Sequence, residues 1–443
     1  MTDPRPKLSW SDLAGARVGV WGLGRDGHAS LRKLLALGVE PVLVDDRPAG
    51  PEDGRSVLAT GDGGLAALER CDVVVKTPGI SRYRPEVARL SGLGVAVVGG
   101  LGLWLAEADL RRVLCVTGTK GKSTTSSVTG HLLAGLGYRC MVGGNIGVAP
   151  YDPAEARDFD YWVIEVSSYQ ATDLPCSPPV VAVTSLHPDH LDWHGGVEQY
   201  YRDKLSACSQ PGAELTVANG DSGLLREHAG LLGPRIEWVS EHDDPDATWM
   251  DPLGLPGGHN RRNALIARRC LAALGVPATA ETTALQGAAA GYQPLPSRLT
   301  PAGTVGGVSF VDDSLSTNVL PTLAALDAFP GRRIALIVGG HDRGIDYAPL
   351  AAGILAREAP TYVLTLPDSG PRIRTHLEAA PAPQMGFAGV TDCPDLAAAV
   401  AAGYRWAQPD GIVLLSPAAP SFGHFKDYRD RAEAFAREVR ALS

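Results

Sequence analysis

The stretch Val113–Thr125, VLCVTGTKGKSTT, decides how the rest of the chain is read. A short apolar run bounded by glycine is a buried strand, and the glycine-rich turn that follows opens a helix. The turn is Gly118-Thr119-Lys120-Gly121-Lys122-Ser123-Thr124. A full phosphate loop would carry glycine at 116, where this chain has Val, so the turn is a shortened form. Its chemistry survives the shortening. Backbone amides at a helix N-terminus cradle phosphate oxygens, Lys122 neutralises them, and the Ser123 hydroxyl can ligate Mg²⁺. ATP is the expected ligand. The alternative, a helix start rich in Gly, Ser and Thr with no ligand, is disfavoured by a Gly-Lys-Ser-Thr run directly after a strand.

Working outward, strand and helix signals alternate along the whole chain, the pattern of α/β domains with parallel sheets. Before the turn, Arg17–Trp21, Pro41–Val44 and Asp72–Val75 read as strands, and His28–Leu37 reads as a helix. Tyr161–Val166 and Val180–Thr184 continue the series begun at Val113. Composition loosens around Gly99-Gly100-Leu101-Gly102 and again at the Pro-rich Gln293–Arg298. Beyond that lie Val308–Val311, Arg333–Val338, Thr361–Thr365 and Gly411–Leu415. At 443 residues the chain is too long for one hydrophobic core. Three domains are expected, 1–108, 109–296 and 297–443, with no internal repeat and no low-complexity tract.

A second glycine turn, Gly22-x-Gly24-x-x-Gly27, follows the first strand and precedes a helix, with Asp45 and Asp46 at the end of the next strand. This is the dinucleotide fingerprint in its expected context. Taken alone it fits a dinucleotide such as NAD, another nucleotide diphosphate, or a tight turn without a ligand. Both turns in one chain argue against a dehydrogenase, which has no use for a second phosphate site.

Composition narrows the class. The chain is 44% hydrophobic and 20% charged, with a net charge of −9, which suits an ordinary globular protein and argues against a nucleic-acid surface. The seven cysteines are scattered singly, so a reduced compartment and no structural zinc are expected. The N-terminus has no apolar signal core and no run of 18 apolar residues occurs, so a cytoplasmic protein without membrane attachment is expected.

Further motifs follow in a fixed order: Gly143-Gly-Asn145-Ile-Gly147, Ile164-Glu-Val-Ser-Ser-Tyr-Gln170, Pro188-Asp-His-Leu-Asp192, Tyr201-Arg-Asp-Lys-Leu205, His259-Asn260…Asn263, Asp312-Asp-Ser314, Gly339-Gly340 and Leu415-Ser-Pro-Ala-Ala-Pro-Ser-Phe422. With the 117–124 turn, they strongly resemble the Mur ligases, and among these the MurD type. The resemblance spans nearly the whole chain. It implies a UDP-binding Rossmann-like N-terminal domain, a central P-loop-like ATPase domain and a Rossmann-like C-terminal domain that binds glutamate. It also implies the activity: ATP-driven addition of glutamate to UDP-N-acetylmuramoyl-L-alanine through an acyl phosphate, in peptidoglycan precursor synthesis.

By the same resemblance, the first turn holds UDP rather than NAD, lined by Arg25, Asp26, Gly27, Asp46, Arg47, Thr77, Gly79 and Asn145. Ser123 and Glu165 would ligate the Mg²⁺ on ATP, and His190 a second Mg²⁺. Lys204 would carry a CO₂-derived carbamate beside the metal. Lys122 and Arg298 would neutralise the γ-phosphate, Asn260 and Asn263 would sit near the base, and Asp313 would join the ATP site. On the bare sequence, Glu165 could instead be a strand-end carboxylate paired with a basic neighbour. His190 could be a capping residue, Lys204 a solvated helix lysine and Arg298 an ordinary linker arginine.

The amino-acid pocket departs from the usual pattern. D-glutamate enzymes of the MurD type carry Asp-Ser-Lys-Ala-Thr-Asn, whereas this chain has Asp313-Ser-Leu315-Ser-Thr317-Asn318. A cation beside a carboxylate contributes about 1.5–3 kcal/mol, too much to vanish as a neutral swap. Thr317, Arg343, Ser416, Ser421 and Phe422 remain to hold the substrate, and the pocket resembles the branch that adds L-glutamate. A separate epimerase then acts on the product. A monomer is expected. The competing readings are the same reaction with D-glutamate, a folylpolyglutamate-type ligase (which lacks the UDP-type domain), a non-catalytic relative and, more remotely, an NAD-dependent oxidoreductase.

Overall fold

The structure is a computed structural model and describes residues 5–245, 247–379 and 386–442. Three sheets follow one another along the chain, each built from short apolar runs. The first contains β1 (Val18–Trp21), β2 (Val42–Asp45), β3 (Val57–Ala59), β4 (Val73–Lys76) and β5 (Ala96–Gly99), in the order β3-β2-β1-β4-β5 and wholly parallel. The second contains β6 (Val113–Thr117), β7 (Cys140–Gly144), β8 (Tyr161–Glu165), β9 (Val180–Val183), β10 (Leu215–Asn219) and β11 (Ile236–Val239). Its order is β11-β10-β9-β6-β8-β7, again all parallel.

The third sheet contains β12 (Thr300–Val305), β13 (Val308–Asp312), β14 (Ile334–Gly340), β15 (Thr361–Asp368), β16 (Phe387–Asp392) and β17 (Ile412–Leu415), ordered β12-β13-β17-β14-β15-β16. It departs from the expected all-parallel pattern in one place. β12 runs antiparallel to β13, because Gly306 and Gly307, both at positive φ, close a hairpin too short for a crossover. Gly307 must be glycine, since a Cβ there would lie 2.4 Å from the Pro409 carbonyl oxygen.

By compactness the chain divides into a larger unit, Met1–Leu253 with Arg262–Tyr292, and a smaller one, Gly254–Arg261 with Gln293–Ser443. The larger unit holds the first two sheets. One apolar core runs through it, from Val18 and Val20 to Val113, Cys115, Val181 and Val183. Ion pairs join the same two sheets: Lys76–Asp173 at 2.5 Å, with side chains 1% and 7% exposed, and Arg32–Asp152 at 2.5 Å. A buried pair of this kind resists separation, because removing one partner leaves an uncompensated charge.

The loose composition at 99–102 is therefore not a linker. Gly100–Leu105 is a fully buried helix, and its glycines mark close approaches. A Cβ on Gly100 would lie 2.6 Å from the Tyr151 ring, and one on Gly102 would lie 2.6 Å from the Asp173 carbonyl oxygen.

In the smaller unit both faces of the sheet are covered. Leu326, Leu350, Ile354 and Ile373 pack on one face, and Leu396, Val400, Phe435 and Val439 on the other.

Candidate functional site

Strand register assembles the site. Val116 of β6 and Gly144 of β7 both lie beside Glu165 of β8, and Thr117 lies beside Val183 of β9. The glycine turn, Asn145, Glu165 and Thr184 therefore leave one edge of the sheet together, where parallel sheets bind ligands. Gly118 (φ 132°) and Gly121 (φ 90°) adopt backbone that favours glycine. A Cβ on Gly118 would lie 2.2 Å from Thr184 Oγ1, and one on Gly121 would lie 2.8 Å from Asn263 Oδ1. Thr184 Oγ1 also donates to the Lys120 carbonyl at 2.6 Å, and the Lys120 amide donates to Ser185 Oγ at 2.8 Å. Thr119 Oγ1 meets Tyr200 OH at 2.9 Å and accepts from the His187 amide at 3.0 Å. Thr184 and Ser185 were not picked out from sequence, although two hydroxyls directly after an apolar strand are a usable signal.

Lys122 begins the helix Lys122–Gly135, with buried Ser123 and Thr124 beside it. Lys122 Nζ donates to the Thr119 carbonyl at 3.2 Å. Lys204 is 3% exposed, not a solvated helix lysine, and its Nζ donates to the Gly118 carbonyl at 3.1 Å. Burial, reinforced by the Lys122 charge, holds the Lys204 amine well below the usual lysine range.

Glu165 is 1% exposed, and its Oε1 accepts from Asn145 Nδ2 at 2.5 Å. Its Oε2 is buried with no hydrogen-bond partner. Asn145, expected at the UDP site, thus reaches the carboxylate beside the second glycine turn along the chain. An orphaned buried carboxylate oxygen is costly unless a ligand completes it.

Among the described residues, no three His, Cys, Asp or Glu side chains converge closely enough to enclose a metal ion. This donor set still fits Mg²⁺, which keeps waters and phosphate oxygens and takes only one or two protein ligands. His190 caps the short helix Leu191–His194 at φ 51° with its side chain 46% exposed. Burial holds its imidazole below the ordinary histidine range, with Asp189 partly opposing.

A second set of groups was missed from sequence. His194 is buried, with Nδ1 at 2.6 Å from Asp203 Oδ2 and Nε2 at 3.0 Å from Ser168 Oγ. Asp203 Oδ1 accepts from Tyr83 OH at 2.6 Å, and Trp193 Nε1 donates to the Gly79 carbonyl at 3.3 Å. The segment carrying His190 and the helix carrying Lys204 are thereby tied to the 77–83 loop of the first sheet.

That loop faces the first glycine turn. A Cβ on Gly27 would lie 1.9 Å from the Gly22 carbonyl oxygen, and one on Gly22 would lie 2.2 Å from Thr77 Oγ1. Nothing lies within 4 Å of a Cβ on Gly24 or Gly79. Asp45, the acidic residue of the fingerprint, accepts from the Leu23 and Arg47 amides and so shapes the turn itself. Asp46 is raised by burial, but bonds from Arg84 and Thr60 outweigh this and hold it below the usual carboxylate range. Arg25 is exposed and donates to the Gly144 and Asn145 carbonyls. Asp26 lies 3.4 Å from Gln170 Nε2, and Arg47 is exposed.

Asn263 abuts the second glycine turn at Gly121, while Asn260 on the same helix donates to the Pro256 carbonyl at 2.8 Å. In the smaller unit, Arg298 is flanked by Ser297 (φ 59°) and Leu299 (φ 51°), a strained backbone that something must hold in place. Asp313 holds it. The carboxylate accepts from the Leu299 amide at 3.3 Å, from Ser416 Oγ at 2.7 Å and from Ser316 Oγ. Burial raises the Asp313 carboxyl to about 7. Ser416 is therefore fully buried, its hydroxyl turned to Asp313. Thr317 is half-buried, Arg343 is exposed, Ser421 is buried and Phe422 is 56% exposed.

Comparison with known proteins agrees with this arrangement. The Mur ligase middle domain matches residues 116–250, and the Mur ligase glutamate ligase domain matches residues 297–419. A UDP-N-acetylmuramoyl-L-alanine--L-glutamate ligase of a Micromonospora species is 42% identical over 97% of this chain and 98% of its own length. One of the same name from Xanthomonas euvesicatoria is 39% identical over 96% of each. Among solved structures, a UDP-N-acetylmuramate-alanine ligase from Thermotoga maritima shares the fold with a TM-score of 0.57 at 17% identity, over 97% of this chain and 100% of that one. A MurF ligase from the same organism, solved with ADP, gives 0.54 at 14% identity over 98% of each chain. With near-complete coverage by relatives well above 30% identity, and with the phosphate turn, carboxylate and lysine in place, this chain belongs to the Mur ligase family.

Proposed function

We propose that the chain joins L-glutamate to UDP-N-acetylmuramoyl-L-alanine at the expense of ATP. Joining a carboxylate to an amine in water is uphill, so the carboxylate needs a leaving group. Its oxygen attacks the γ-phosphorus of ATP, ADP departs, and an acyl phosphate forms. The glutamate amine then attacks the carbonyl carbon, expels inorganic phosphate and releases a proton as the amide forms. Phosphoryl transfer of this kind depends on positioning and charge neutralisation rather than on a nucleophilic side chain.

The observation that carries the reading is the meeting of Lys122 and Ser123 in a phosphate turn with the half-satisfied Glu165 carboxylate at one sheet edge. Ser123 and Glu165 hold Mg²⁺ in this proposal and His190 a second ion, and the metal supplies charge neutralisation on the phosphates. Lys122 shares that neutralisation. Lys204 is assigned a carbamate. Its buried, depressed amine favours the neutral form that adds CO₂, and the product would be an anion among lysines. Open Gly24 and Gly79, with Arg25, Asp26 and Arg47, line the UDP site. Thr317, Arg343, Ser421 and Phe422 hold the amino acid, with Ser416 and Asp313 behind them.

The glutamate is the L isomer. Leu315 stands where a D-glutamate enzyme of the MurD type keeps lysine, and the full-length relatives are named for L-glutamate. Product bearing L-glutamate would pass to a separate epimerase. The chain works as a cytoplasmic monomer in this reading, where ATP and nucleotide-linked precursors meet. One assay tests it: purified protein with ATP, Mg²⁺ and UDP-N-acetylmuramoyl-L-alanine, given L- or D-glutamate separately. Amide formation with L-glutamate is expected. Preferential use of D-glutamate overturns the isomer, and ATP turnover independent of both co-substrates overturns the ligase.

A further inference from the structure

Arg431 is a charged residue in the core of the smaller unit that none of the chemistry above uses. It lies in the helix Tyr428–Ala441, 1% exposed, among the largest fully buried side chains of the protein. Burying a guanidinium is expensive unless its N–H groups and its charge are answered. Its Nη2 donates to the Ser314 carbonyl at 2.7 Å and to the Ala419 carbonyl at 3.1 Å. A Cβ on Gly340 (φ 147°) would lie 2.5 Å from the Pro420 carbonyl oxygen and 3.2 Å from Arg431 Nη1, so this position is kept as glycine by the backbone and Nη1 packs against it. Asp312 supplies the opposing charge, although burial still lowers the group to about 10. It therefore remains a cation at neutral pH.

Ser314 and Ala419 lie in the loops after β13 and β17, and Gly340 is the last residue of β14, where the third loop begins. The same loops carry Thr317, Arg343 and the Ser421-Phe422 pair. A single guanidinium thus reaches all the segments assigned to the amino acid, from a helix that carries none of them. We propose that Arg431 is a positioning residue for the glutamate pocket: it sets the spacing of the three loops without touching the substrate. This rests on the assignment of that pocket to glutamate.

Arginine suits the task better than lysine, because its planar guanidinium fixes the direction of the two N–H groups that Nη2 donates to carbonyls of different loops. The two carbonyls belong to different loops, so no local backbone interaction substitutes for it. Arg431 Nε has no hydrogen-bond partner, and the side chain borders a cavity of about 300 Å³ shared with Leu366, Pro394, Ser421 and Phe425. A small planar cation has room to enter there when the side chain is shortened.

The test uses Arg431→Lys, Arg431→Gln and Arg431→Ala in the full-length enzyme, with KM measured separately for glutamate, ATP and the UDP-linked substrate. We expect the KM for glutamate to rise by about tenfold or more, since a displacement near 1 Å in a binding constellation has effects of that size. The other two KM values should stay within about twofold. Millimolar guanidinium should restore glutamate KM in Arg431→Ala and leave Arg431→Lys unchanged.

Equal rises in all three KM values, or lower thermal stability with an unchanged glutamate KM, overturn the inference. So does failure of both Arg431→Lys and Arg431→Gln to fold, because the arginine would then be inseparable from the core. Wild-type turnover with glutamate tests the pocket assignment independently of these variants.

Discussion

After β1 the chain turns through Gly22 and Gly24 into a helix, and after β6 it turns through Gly118 and Gly121 into another. Both turns need glycine for close approach, and both leave a parallel sheet at its C-terminal edge. Around the first, the acidic neighbours are already engaged: Asp45 by backbone amides, Asp46 by Arg84 and Thr60. Gly24 and Gly79 are left open for a ligand. Around the second, two lysines point their amines at carbonyls of the same turn, and a carboxylate keeps one oxygen without a partner. Two amines confined in a poorly solvated site cannot both hold a charge cheaply, so the Lys204 amine is held toward its neutral form. The first turn has its charges paired and two glycines left open, while the second keeps an unpaired carboxylate oxygen beside a buried amine held toward its neutral form.

The largest expected effects fall on the second turn. Lys122→Ala and Glu165→Ala should each lower ligation by about 10³-fold, the scale of losing a principal charge-stabilising group. Calorimetric affinity for UDP-N-acetylmuramoyl-L-alanine should change only a few-fold, because that substrate is assigned to the other turn. Loss of UDP-substrate binding in step with turnover would remove the distinction between the turns.

Lys204→Ala should lose nearly as much activity. Short-chain carboxylic acids added to the assay should recover part of it by standing in for the carbamate. Wild-type-like activity in this variant, or no response to the acids, counts against the carbamate.

At the first turn the effects are smaller and divide between two glycines. Gly27→Ala places a Cβ 1.9 Å from the Gly22 carbonyl oxygen, an overpacking that should cost roughly 1–3 kcal/mol in denaturant titration. Gly24→Ala meets nothing within 4 Å and should alter stability by less than about 0.5 kcal/mol. It should nevertheless raise the KM for the UDP-linked substrate. A Gly24→Ala protein with unchanged KM would mean that the pyrophosphate does not approach there.

A further effect, on stability rather than turnover, is expected outside both turns. Burial raises Asp313 to about 7, above the ordinary carboxylate value, so the fold binds this proton more tightly than the unfolded chain does. Its contribution to stability is complete below about pH 4 and is lost as pH rises through about 7. The wild-type melting temperature should fall between about pH 4 and pH 7, and Asp313→Asn should flatten that part of the decline. Identical profiles would show that Asp313 stays ionised in the fold.

Local pattern in the chain was enough to mark the two turns, the strands beneath them and the Glu165 carboxylate at a strand end, because glycine placement and apolar periodicity act over a few residues. Resemblance to a family added Lys204 and His190, which spacing alone would have left as a solvated lysine and a cap. Some things had no local trace. Gly99–Gly102 looked loose because glycine reads as flexible until the neighbours that demand it are known, here Tyr151 and Asp173. The Asn145–Glu165 bond, the Tyr83–Asp203 bond and the reach of Arg431 to Ser314 join residues 20 to 120 positions apart. Charge state belongs to the same class. Lys204 on a helix and Asp313 after a strand have ordinary sequences, and their amine and carboxyl are shifted by burial among distant partners. Sequence alone could say which groups are present and where the backbone must turn. Tertiary structure decided which of them lose water and which charges then face one another, because desolvation and Coulomb energy depend on distance in space rather than along the chain.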